Sequence, residues 1–358
     1  MDRLTQSLAL IRDDVRATQA YPVQSAAGLI KLDTMENPFR LPEALQRELG
    51  ERLGRVAINR YPAARTGVLA AALAAHAGMP PGCAITLGNG SDEIITMLSM
   101  AISRPGAKIL SPLPSFVMYE ISARYQGLGF VGVTLTADFE LDEAAMLAAI
   151  AQHQPALIYL AYPNNPTANL WDAGAIERIV EAAPGLVVMD EAYQPFAARD
   201  CMELLSRFAN VLVMRTMSKF GLAGVRIGYL IGQQALIKEI DKVRPPFNIG
   251  VLNAEAGLFA LEHAEVYAAQ AEILRAERDR LLAELAQIPG IHPYPSQGNM
   301  ILARVCDAAR SFDAMKGRGV LIKNVSAMHP LLANCLRITV GTPEENAAML
   351  AALKESLS

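Results

Sequence analysis

The sequence predicts an α/β protein with a mostly parallel central sheet, helices on both faces of that sheet, and a second, smaller α/β domain. Three observations lead to this prediction. Short apolar runs alternate along the chain with Ala- and Leu-rich segments of helical period. The runs are continuously apolar, which is typical of parallel strands that are buried on both faces. The connections between them are long enough to form helices, as parallel neighbours require.

Six apolar runs mark the strands of the central sheet: AITL near 84, AKILSP near 107, GFVGVTL near 129, ALIYLAYP near 156, LVVMDEAY near 186 and NVLVMRT near 210. The prolines and glycine of RPPFNIG interrupt any helix before a long Ala/Leu/Glu segment at about 251–287, which predicts a single linking helix. NMILARV, GVLIKN and CLRITVG then predict short strands, and a terminal helix starts at Pro343. We expect an N-terminal arm over 1–35, a large domain over 36–248, and the linking helix with a small domain over 249–358.

Composition and charge favour a small-molecule partner. The 358 residues include 32 basic and 36 acidic side chains, a formal net charge of −4, and the basic residues are scattered. The sequence therefore has no basic patch of the kind that would indicate nucleic acid or an anionic membrane as a partner. The four cysteines and five histidines form no metal-ligand cluster, and no apolar run is long enough for a signal or membrane segment. We expect a cytoplasmic protein with reduced cysteines and no bound metal.

Polar residues gather directly after the predicted strands, where ligands bind in doubly wound sheets. After the first strand, GNGSDEI offers a tight turn and a helix start at Ser91 or Asp92, which would suit a phosphate group. Ordinary helix capping explains these residues equally well. After the fourth strand, the prolines of YPNNPTAN hold Asn165 rigidly, although Asn-Pro also marks plain structural turns.

Acidic, hydroxyl and basic side chains follow the fifth and sixth strands. Asp190 ends LVVMD and Tyr193 comes one turn later. A carboxylate at the end of an apolar strand needs a partner, and taken alone Asp190 would be a core salt bridge or a helix cap. The sixth strand is followed by a group of four residues: Thr216, Ser218, Lys219 and Arg226. The sequence thus predicts that a lysine, a carboxylate and an arginine meet at one edge of the sheet.

Together these side chains suit pyridoxal phosphate. Lys219 would hold it covalently and would shuttle a proton once a substrate amine displaces the lysine. Asp190 would keep the pyridine nitrogen protonated, so that the ring withdraws electrons. Asn165 and Tyr193 would flank the 3-hydroxyl group. The phosphate group would be neutralised by Arg226, Thr216, Ser218 and the helix start at Ser91 and Asp92.

An ordered set of motifs carries a resemblance over nearly the whole chain. The motifs are DTMENP, NRYPAART, GNGSDE, SPLPSFVMYE, YPNNPT, VVMDEAY, TMSKFGLAGVR and LRITVGT. Each alone is weak, but their order and spacing resemble the class I/II aminotransferases of fold type I, and within them the histidinol-phosphate aminotransferase subfamily. The resemblance implies the fold-type I architecture, pyridoxal phosphate as cofactor, and exchange of an amino group between L-histidinol phosphate and 2-oxoglutarate in histidine biosynthesis.

The resemblance also implies roles that the residues alone would not suggest. Phe116 matches an aromatic residue that stacks on the pyridine ring, and without the family it would be a core phenylalanine. Tyr61 matches a tyrosine that reaches the cofactor phosphate of a partner subunit, which implies a homodimer. Arg337 matches the arginine that binds the substrate carboxylate, for which a guanidinium fork is well suited.

Substrate recognition follows from the same resemblance. Tyr21, Asn37 of DTMENP and the segment LIKN resemble the parts of the subfamily that close over the substrate. Lys323 stands where many relatives have arginine, and it keeps the charge without the bidentate geometry. Ala168 stands at the usual glycine of the PNNPTG run, so a required positive φ would force that loop to bend differently. His329 in SAMHPLLANC is interpreted as a surface loop residue.

Three alternatives stay open at the level of sequence. An aromatic amino-acid aminotransferase would use the same cofactor residues, because its donor also offers a flat ring and a primary amine. A lyase that resembles threonine-phosphate decarboxylase would keep them as well and would release carbon dioxide. A cofactor-sensing module of a regulator is disfavoured because no basic helix-turn-helix extension is present.

Overall fold

The computed structural model describes residues 2–18 and 24–357. The strands, numbered along the chain, are β1 (Ile30–Lys31), β2 (Cys83–Gly88), β3 (Lys108–Leu113), β4 (Gly129–Thr134), β5 (Leu157–Ala161), β6 (Leu186–Asp190), β7 (Val211–Thr216), β8 (Gly228–Gln233), β9 (His292–Pro293), β10 (Met300–Arg304), β11 (Val320–Leu321), β12 (Lys323–Asn324) and β13 (Cys335–Thr339). The α-helices are α1 (Arg3–Leu8), α2 (Asp13–Arg16), α3 (Glu43–Gly54), α4 (Ala63–His76), α5 (Ser91–Ala101), α6 (Met118–Tyr125), α7 (Glu143–His153), α8 (Ala173–Ala182), α9 (Leu204–Arg207), α10 (Gln234–Ile240), α11 (Val251–Glu262), α12 (Ala264–Leu285), α13 (Ala308–Gly317) and α14 (Pro343–Ser356).

The central sheet has seven strands in the order β2-β8-β7-β6-β5-β3-β4. Strands β7, β6, β5, β3 and β4 are parallel, as predicted, and all six strands read from the sequence are present. The sequence prediction missed β8, which runs antiparallel between β2 and β7. Its run, GYLIGQ, carries a glycine at each of two positions, which weakens the apolar signal.

Alternate side chains of the central strands enter two separate cores, one on each face of the sheet. In β5, Ile158 and Leu160 join the core that α4, α8 and α11 cover, whereas Leu157, Tyr159 and Ala161 join the core beneath α5 and α6. This two-residue alternation is the ordinary geometry of a strand, and it explains the continuously apolar runs. At the ends of β6 and β7 the same alternation sends neighbouring polar residues to opposite faces.

The C-terminal region forms an antiparallel sheet in the order β12-β13-β10-β9, and α12 and α14 pack in its core. The arm is tied to this region, because β1 pairs in parallel with β11 and Leu32 lies in the same core. Farther towards the N-terminus, Arg12 donates hydrogen bonds to the carbonyl oxygens of Tyr125 and Arg124 at the end of α6. The predicted domain boundaries stay a prediction.

The single linking helix predicted at about 251–287 is two helices, so that prediction was wrong. His263 separates α11 from α12 with φ of −117° and ψ of 35°, outside the helical region. The first helix packs on the large sheet through Ala254 and Leu258, whereas the second reaches the C-terminal core through Leu274 and Leu281. Within the described residues, none of the helices is both long and apolar enough to cross a membrane.

A buried ion pair joins the ends of β6 and β7 on the face that α4 and α11 cover. The guanidinium Nε of Arg215 donates a 2.7 Å hydrogen bond to Oε2 of Glu191, and Nη2 donates a 3.1 Å bond to Oδ2 of Asp200. The other oxygen of Glu191 accepts from the backbone amide of Cys201. Because both charged side chains are almost fully buried, removal of either one would leave the other as a buried charge that has lost a partner of opposite charge.

We expect Glu191→Ala to lower the free energy of unfolding by about 3 kcal/mol, because it leaves a buried guanidinium with one carboxylate partner instead of two. The matched control is Glu143→Ala, which removes an exposed bidentate pair with Arg178 and should cost less than about 1 kcal/mol. Urea and thermal unfolding midpoints of both variants measure the difference. Equal effects of the two substitutions would contradict the structural importance of the buried pair.

Candidate active site

A cavity lies at the carboxyl ends of β5, β6 and β7 and at the start of α5. It opens into an outer cleft, and Lys219, Asn165 and Phe116 line both spaces. Most of the residues predicted to bind the cofactor line the inner cavity: Ser91, Asp92, Phe116, Asn165, Asp190, Tyr193, Thr216, Ser218, Lys219 and Arg226. These residues were predicted from the ends of separate strands, and the structure places them in one cavity although some are more than 120 positions apart in the chain.

The carboxylate of Asp190 lies at the base of the inner cavity and is almost fully buried. The hydroxyl of Tyr119 donates a 2.6 Å hydrogen bond to its Oδ2, and the backbone amide of Ala192 donates a 3.1 Å bond to its Oδ1. Burial raises the pKa of Asp190 to about 6, and the hydrogen bond from Tyr119 acts in the opposite direction. Asp190 is thus a desolvated carboxylate that is held by two donors, and not the core salt bridge of the alternative interpretation.

The sequence reasoning missed Tyr119. It sits on α6 with its ring stacked on Tyr159, the two centroids 4.2 Å apart and the planes within 3°. Both rings belong to the core beneath α5 and α6, so a tyrosine in SPLPSFVMYE reads as an ordinary core residue. The only available signal was the polar tip of a buried tyrosine, which needs a partner, while Asp190 needs a donor.

Arg226, Ser218 and Thr216 form the polar end of the inner cavity. Nη1 of Arg226 donates a 3.2 Å hydrogen bond to the hydroxyl of Ser218, and the Thr216 hydroxyl lies 3.0 Å from the same oxygen. Nη2 of Arg226 lies 3.4 Å from Oδ2 of Asp92. A guanidinium and two hydroxyls therefore converge beside the first turn of α5, where unpaired backbone amides favour an anion.

A glycine makes this convergence possible. A Cβ atom at Gly90 would lie 2.3 Å from Nη2 of Arg226, so any side chain there would displace the guanidinium. Gly90 is also the N-cap of α5 with φ of +81°, and none of the described side chains caps that helix. Ser91 and Asp92 are its first two helical residues, so neither is the cap that the sequence analysis allowed. The amides at this helix start are thereby left available to a ligand.

Lys219 directly follows Ser218, in a turn over Ser218–Leu222 whose backbone is kinked at Gly221. Its Nζ donates a 2.8 Å hydrogen bond to the carbonyl oxygen of Thr34 and lies 5.8 Å from the centre of the Tyr193 ring. Burial, with a smaller contribution from the positive charge of Arg337, lowers the pKa of Lys219 to about 8. The amine can therefore be neutral, and so nucleophilic, near physiological pH.

Arg337 of β13 meets Asn165 at the boundary between cavity and cleft. Its Nη1 donates a 2.6 Å hydrogen bond to the side-chain oxygen of Asn165, and its Nη2 donates a 2.8 Å bond to the carbonyl oxygen of Asp33. Because the amide oxygen of Asn165 faces Arg337, the amide NH2 group is the end that can donate to a ligand. One contact thus couples a predicted cofactor residue to a predicted substrate residue.

The outer cleft holds a second cation. Lys323 of β12 is the register partner of Arg337 in the antiparallel pair, so the two side chains leave the same face of the sheet. Both line the outer cleft, and Glu36 lines it too while it accepts a 2.6 Å hydrogen bond from Lys31. Two adjacent cations suit a doubly charged phosphate or a carboxylate.

Of three further residues predicted to belong to the site, two lie outside the inner cavity and the outer cleft, and one lies outside the described residues. The amide nitrogen of Asn37 donates a 2.9 Å hydrogen bond to Gln270 of α12, and Asn37 lines neither space. Tyr61 is 78% exposed and stacks on Phe247, with ring centroids 4.4 Å apart. Tyr21 lies outside the described residues. The roles assigned to these three residues stay predictions.

Two further expectations concern loops near the site. Ala168 has φ of +62°, so the position does take the left-handed conformation and the alanine accommodates it, at a cost of about 1 kcal/mol. His329 caps the short helix at Pro330–Leu332, where its Nδ1 accepts from the amide of Leu331. That contact agrees with the interpretation of His329 as a loop residue.

The comparison with known families decides the class of the protein. The model for "Aminotransferase class I and II" matches residues 27–353. The chain belongs to this family. A histidinol-phosphate aminotransferase from Methylibium petroleiphilum is 65% identical over 351 residues, which cover 97% of this chain and 95% of that protein. The predictions of the family and of an aminotransferase are confirmed.

Solved structures confirm the fold class. That of histidinol-phosphate aminotransferase from Sinorhizobium meliloti, in complex with pyridoxal-5'-phosphate, has a TM-score of 0.83 at 25% identity and covers 98% of each chain. That of L-threonine-O-3-phosphate decarboxylase from Porphyromonas gingivalis has a TM-score of 0.78 at 23% identity and covers 91% of this chain and 98% of that one. The second likeness shows a shared fold alone, so shape does not separate the transferase from the lyase.

The inner cavity fits pyridoxal phosphate. The phosphate group would lie against Arg226, the two hydroxyls and the start of α5, in the space that Gly90 leaves open. The pyridine nitrogen would face Asp190, and the aldehyde carbon would meet the amine of Lys219. Each charged part of the cofactor therefore has a complementary group in the cavity.

We expect Tyr119→Phe to shift the pH dependence of cofactor binding. The hydroxyl of Tyr119 stabilises the ionised form of Asp190, so its removal raises the pKa of that carboxyl further, and the carboxylate is lost at a higher pH. The dissociation constant of pyridoxal phosphate should therefore begin to rise about one pH unit earlier as the solution is acidified.

Tyr125→Phe is the matched control, because Tyr125 ends the same helix and is exposed. Cofactor binding is measured from pH 5 to pH 8 by fluorescence or absorbance for the wild type and both variants. Superimposable profiles for the wild type and Tyr119→Phe would show that Tyr119 does not control the charge of Asp190.

Proposed function

We propose that the protein is a pyridoxal-phosphate-dependent histidinol-phosphate aminotransferase of the cytoplasm. It exchanges an amino group between L-histidinol phosphate and 2-oxoglutarate, giving imidazole-acetol phosphate and L-glutamate. The observation that carries the proposal is one continuous site in which Lys219 separates a cavity with Asp190 at its base from a cleft with Lys323 and Arg337. The names of the highly similar relatives support the choice of substrate.

The residues of the inner cavity divide the chemistry between them. When bound, pyridoxal phosphate withdraws electrons from the substrate carbon that bears the amino group. Asp190 keeps the pyridine nitrogen protonated, and Tyr119 keeps Asp190 ionised. Arg226 and Ser218 would hold the phosphate group of the cofactor. Lys219, with a pKa of about 8, would move a proton between the substrate carbon and the cofactor.

The outer cleft suits the two substrates in turn. L-histidinol phosphate and 2-oxoglutarate each carry an anionic group at one end of the molecule: a phosphate ester one methylene group from the reacting carbon in the first, and a carboxylate bonded to the reacting carbon in the second. Lys323 and Arg337, adjacent across the β12–β13 pair, supply the cations for that end. Lys323 offers a point charge that a phosphate accepts from several directions, whereas the guanidinium of Arg337 matches a planar carboxylate. One cleft can therefore alternate between a phosphate ester and a dicarboxylate.

The first test is an absorbance titration of cofactor-loaded protein with L-histidinol phosphate and then with 2-oxoglutarate. We expect the visible band of the lysine-bound cofactor to disappear on the first addition and to return on the second, because the amino group moves to the cofactor and then to the keto acid. Lys219→Ala should show neither the band nor turnover. The matched control, Lys238→Ala, changes an exposed lysine of α10 and should behave as the wild type.

Each alternative predicts a different titration. Conversion by phenylalanine with no response to histidinol phosphate would indicate an aromatic amino-acid aminotransferase. Release of carbon dioxide from threonine phosphate without a keto product would indicate the lyase. Retained activity in Lys219→Ala would overturn the assignment of that lysine.

We also propose that the protein acts as a homodimer in which Tyr61 completes the partner's site. Tyr61 and Phe247 form an exposed aromatic pair, and Ile58 and Leu252, each within five positions of one of these two residues in the sequence, are exposed apolar residues. Exposed apolar side chains of this size favour a protein interface. A tyrosine hydroxyl at such a surface can donate to a phosphate group across the interface.

Shared sites predict that two defective variants complement each other. In a mixed dimer of Lys219→Ala with Tyr61→Ala, one of the two sites combines the intact lysine of one chain with the intact tyrosine of the other. We therefore expect co-expressed, co-purified variants to show more activity than the sum of the separate homodimers. Activity equal to that sum, with a mixed dimer verified by mass spectrometry, would contradict a shared site.

A further inference from the structure

The loop between the two cations of the outer cleft is firmly attached to the body of the protein. Its flanking residues Val325 and Leu332 are fully buried in the core of the large sheet. Arg304 donates a 2.8 Å hydrogen bond to the carbonyl oxygen of Leu331 and also binds that of Ala333, and its Nε donates to the hydroxyl of Tyr294. The loop is therefore anchored to the core on both sides of Met328.

One side chain of this loop faces the cleft. Met328 lines the outer cleft, and its backbone amide donates a 3.0 Å hydrogen bond to Val325. It is 38% exposed, although the loop on either side of it is anchored in the core. A methionine on an anchored loop, with part of its side chain exposed to the cleft, can pack on a ligand.

The other apolar groups of the cleft lie on different elements. Phe116 and Val117 precede α6, and Met35 belongs to the arm. The cleft thus has a cationic part, at Lys323 and Arg337, and an apolar part to which Met328 contributes. A substrate that carries an anionic group and a flat ring could contact the cationic part with the first and the apolar part with the second.

We propose that Met328 is a specificity-determining residue that packs on the ring of the amino donor and limits its size. This inference rests on the proposed function. The thioether side chain is flexible and polarisable, and it makes favourable contacts with aromatic rings. It fills space beside an imidazole ring, and it leaves less room for the larger phenyl or phenol ring of an aromatic amino acid. The loop sets this limit while the catalytic residues lie on other elements.

The test compares kcat/KM for L-histidinol phosphate with kcat/KM for L-phenylalanine. We expect Met328→Ala to lower the ratio of the two values by about 10-fold or more, because the imidazole ring loses a contact and the phenyl ring gains space. Met328→Leu keeps most of the volume and should change the ratio by less than about 3-fold. Met100→Ala is the matched control, because Met100 is an exposed methionine of α5 that does not line the cleft.

Three outcomes would decide the matter. A lower ratio in Met328→Ala, with the wild-type ratio in Met100→Ala, supports the inference. An unchanged ratio, or an equal loss of kcat/KM with both donors, overturns it while the proposed function stands. A wild-type protein that does not use L-histidinol phosphate contradicts the proposed function itself, so the two failures are distinguishable.

Discussion

The ion pair between Glu191 and Arg215 is the interaction on which the geometry of the site depends. Successive side chains of a strand point to opposite faces, so the pair occupies one face and the adjoining residues Asp190 and Thr216 occupy the other. The pair fastens the carboxyl ends of β6 and β7 to each other from behind the cavity. The carboxylate and hydroxyl that face the cofactor position are thereby held on a rigid edge.

Desolvation then gives these groups their chemistry. The same burial raises the pKa of Asp190 to about 6 and lowers the pKa of Lys219 to about 8. The loss of water disfavours each charged form, and charged or polar neighbours partly restore it: the hydroxyl of Tyr119 for Asp190, and the carboxylates of Glu36 and Asp92 for Lys219. Both groups can therefore bind or release a proton near neutral pH.

The arm connects this chemistry to the C-terminal sheet. Two successive carbonyl groups, those of Asp33 and Thr34, accept from Arg337 and Lys219, and the strand that precedes them pairs with β11. Substrate recognition on β12 and β13 and proton transfer at Lys219 thus meet on one short segment. Movement of the C-terminal sheet relative to the large sheet would therefore alter the contacts of both Arg337 and Lys219.

Much of the site could be predicted from the sequence because its residues follow apolar strands, and the ends of parallel strands meet at one edge. Asp190, Thr216 and Lys219 were found in this way. Tyr119 was not, since a helical tyrosine in an apolar setting gives no sign of the carboxylate that it will contact. The break at His263 was also missed, because the composition of α11 and α12 is continuous across it and only the packing on two different cores bends the chain.

The sequence by itself determined the fold class, six of the seven central strands, the family and the lysine at the centre of the site, because hydrophobic periodicity and local motifs encode them. Only the tertiary structure decided which neighbours those residues have. The partners of Asp190, the approach of Arg226 to Gly90, the pairing of Lys323 with Arg337 and the exposure of Met328 all arise between distant segments. Such contacts follow from how sheets and helices pack in space, and no local pattern of residues records them.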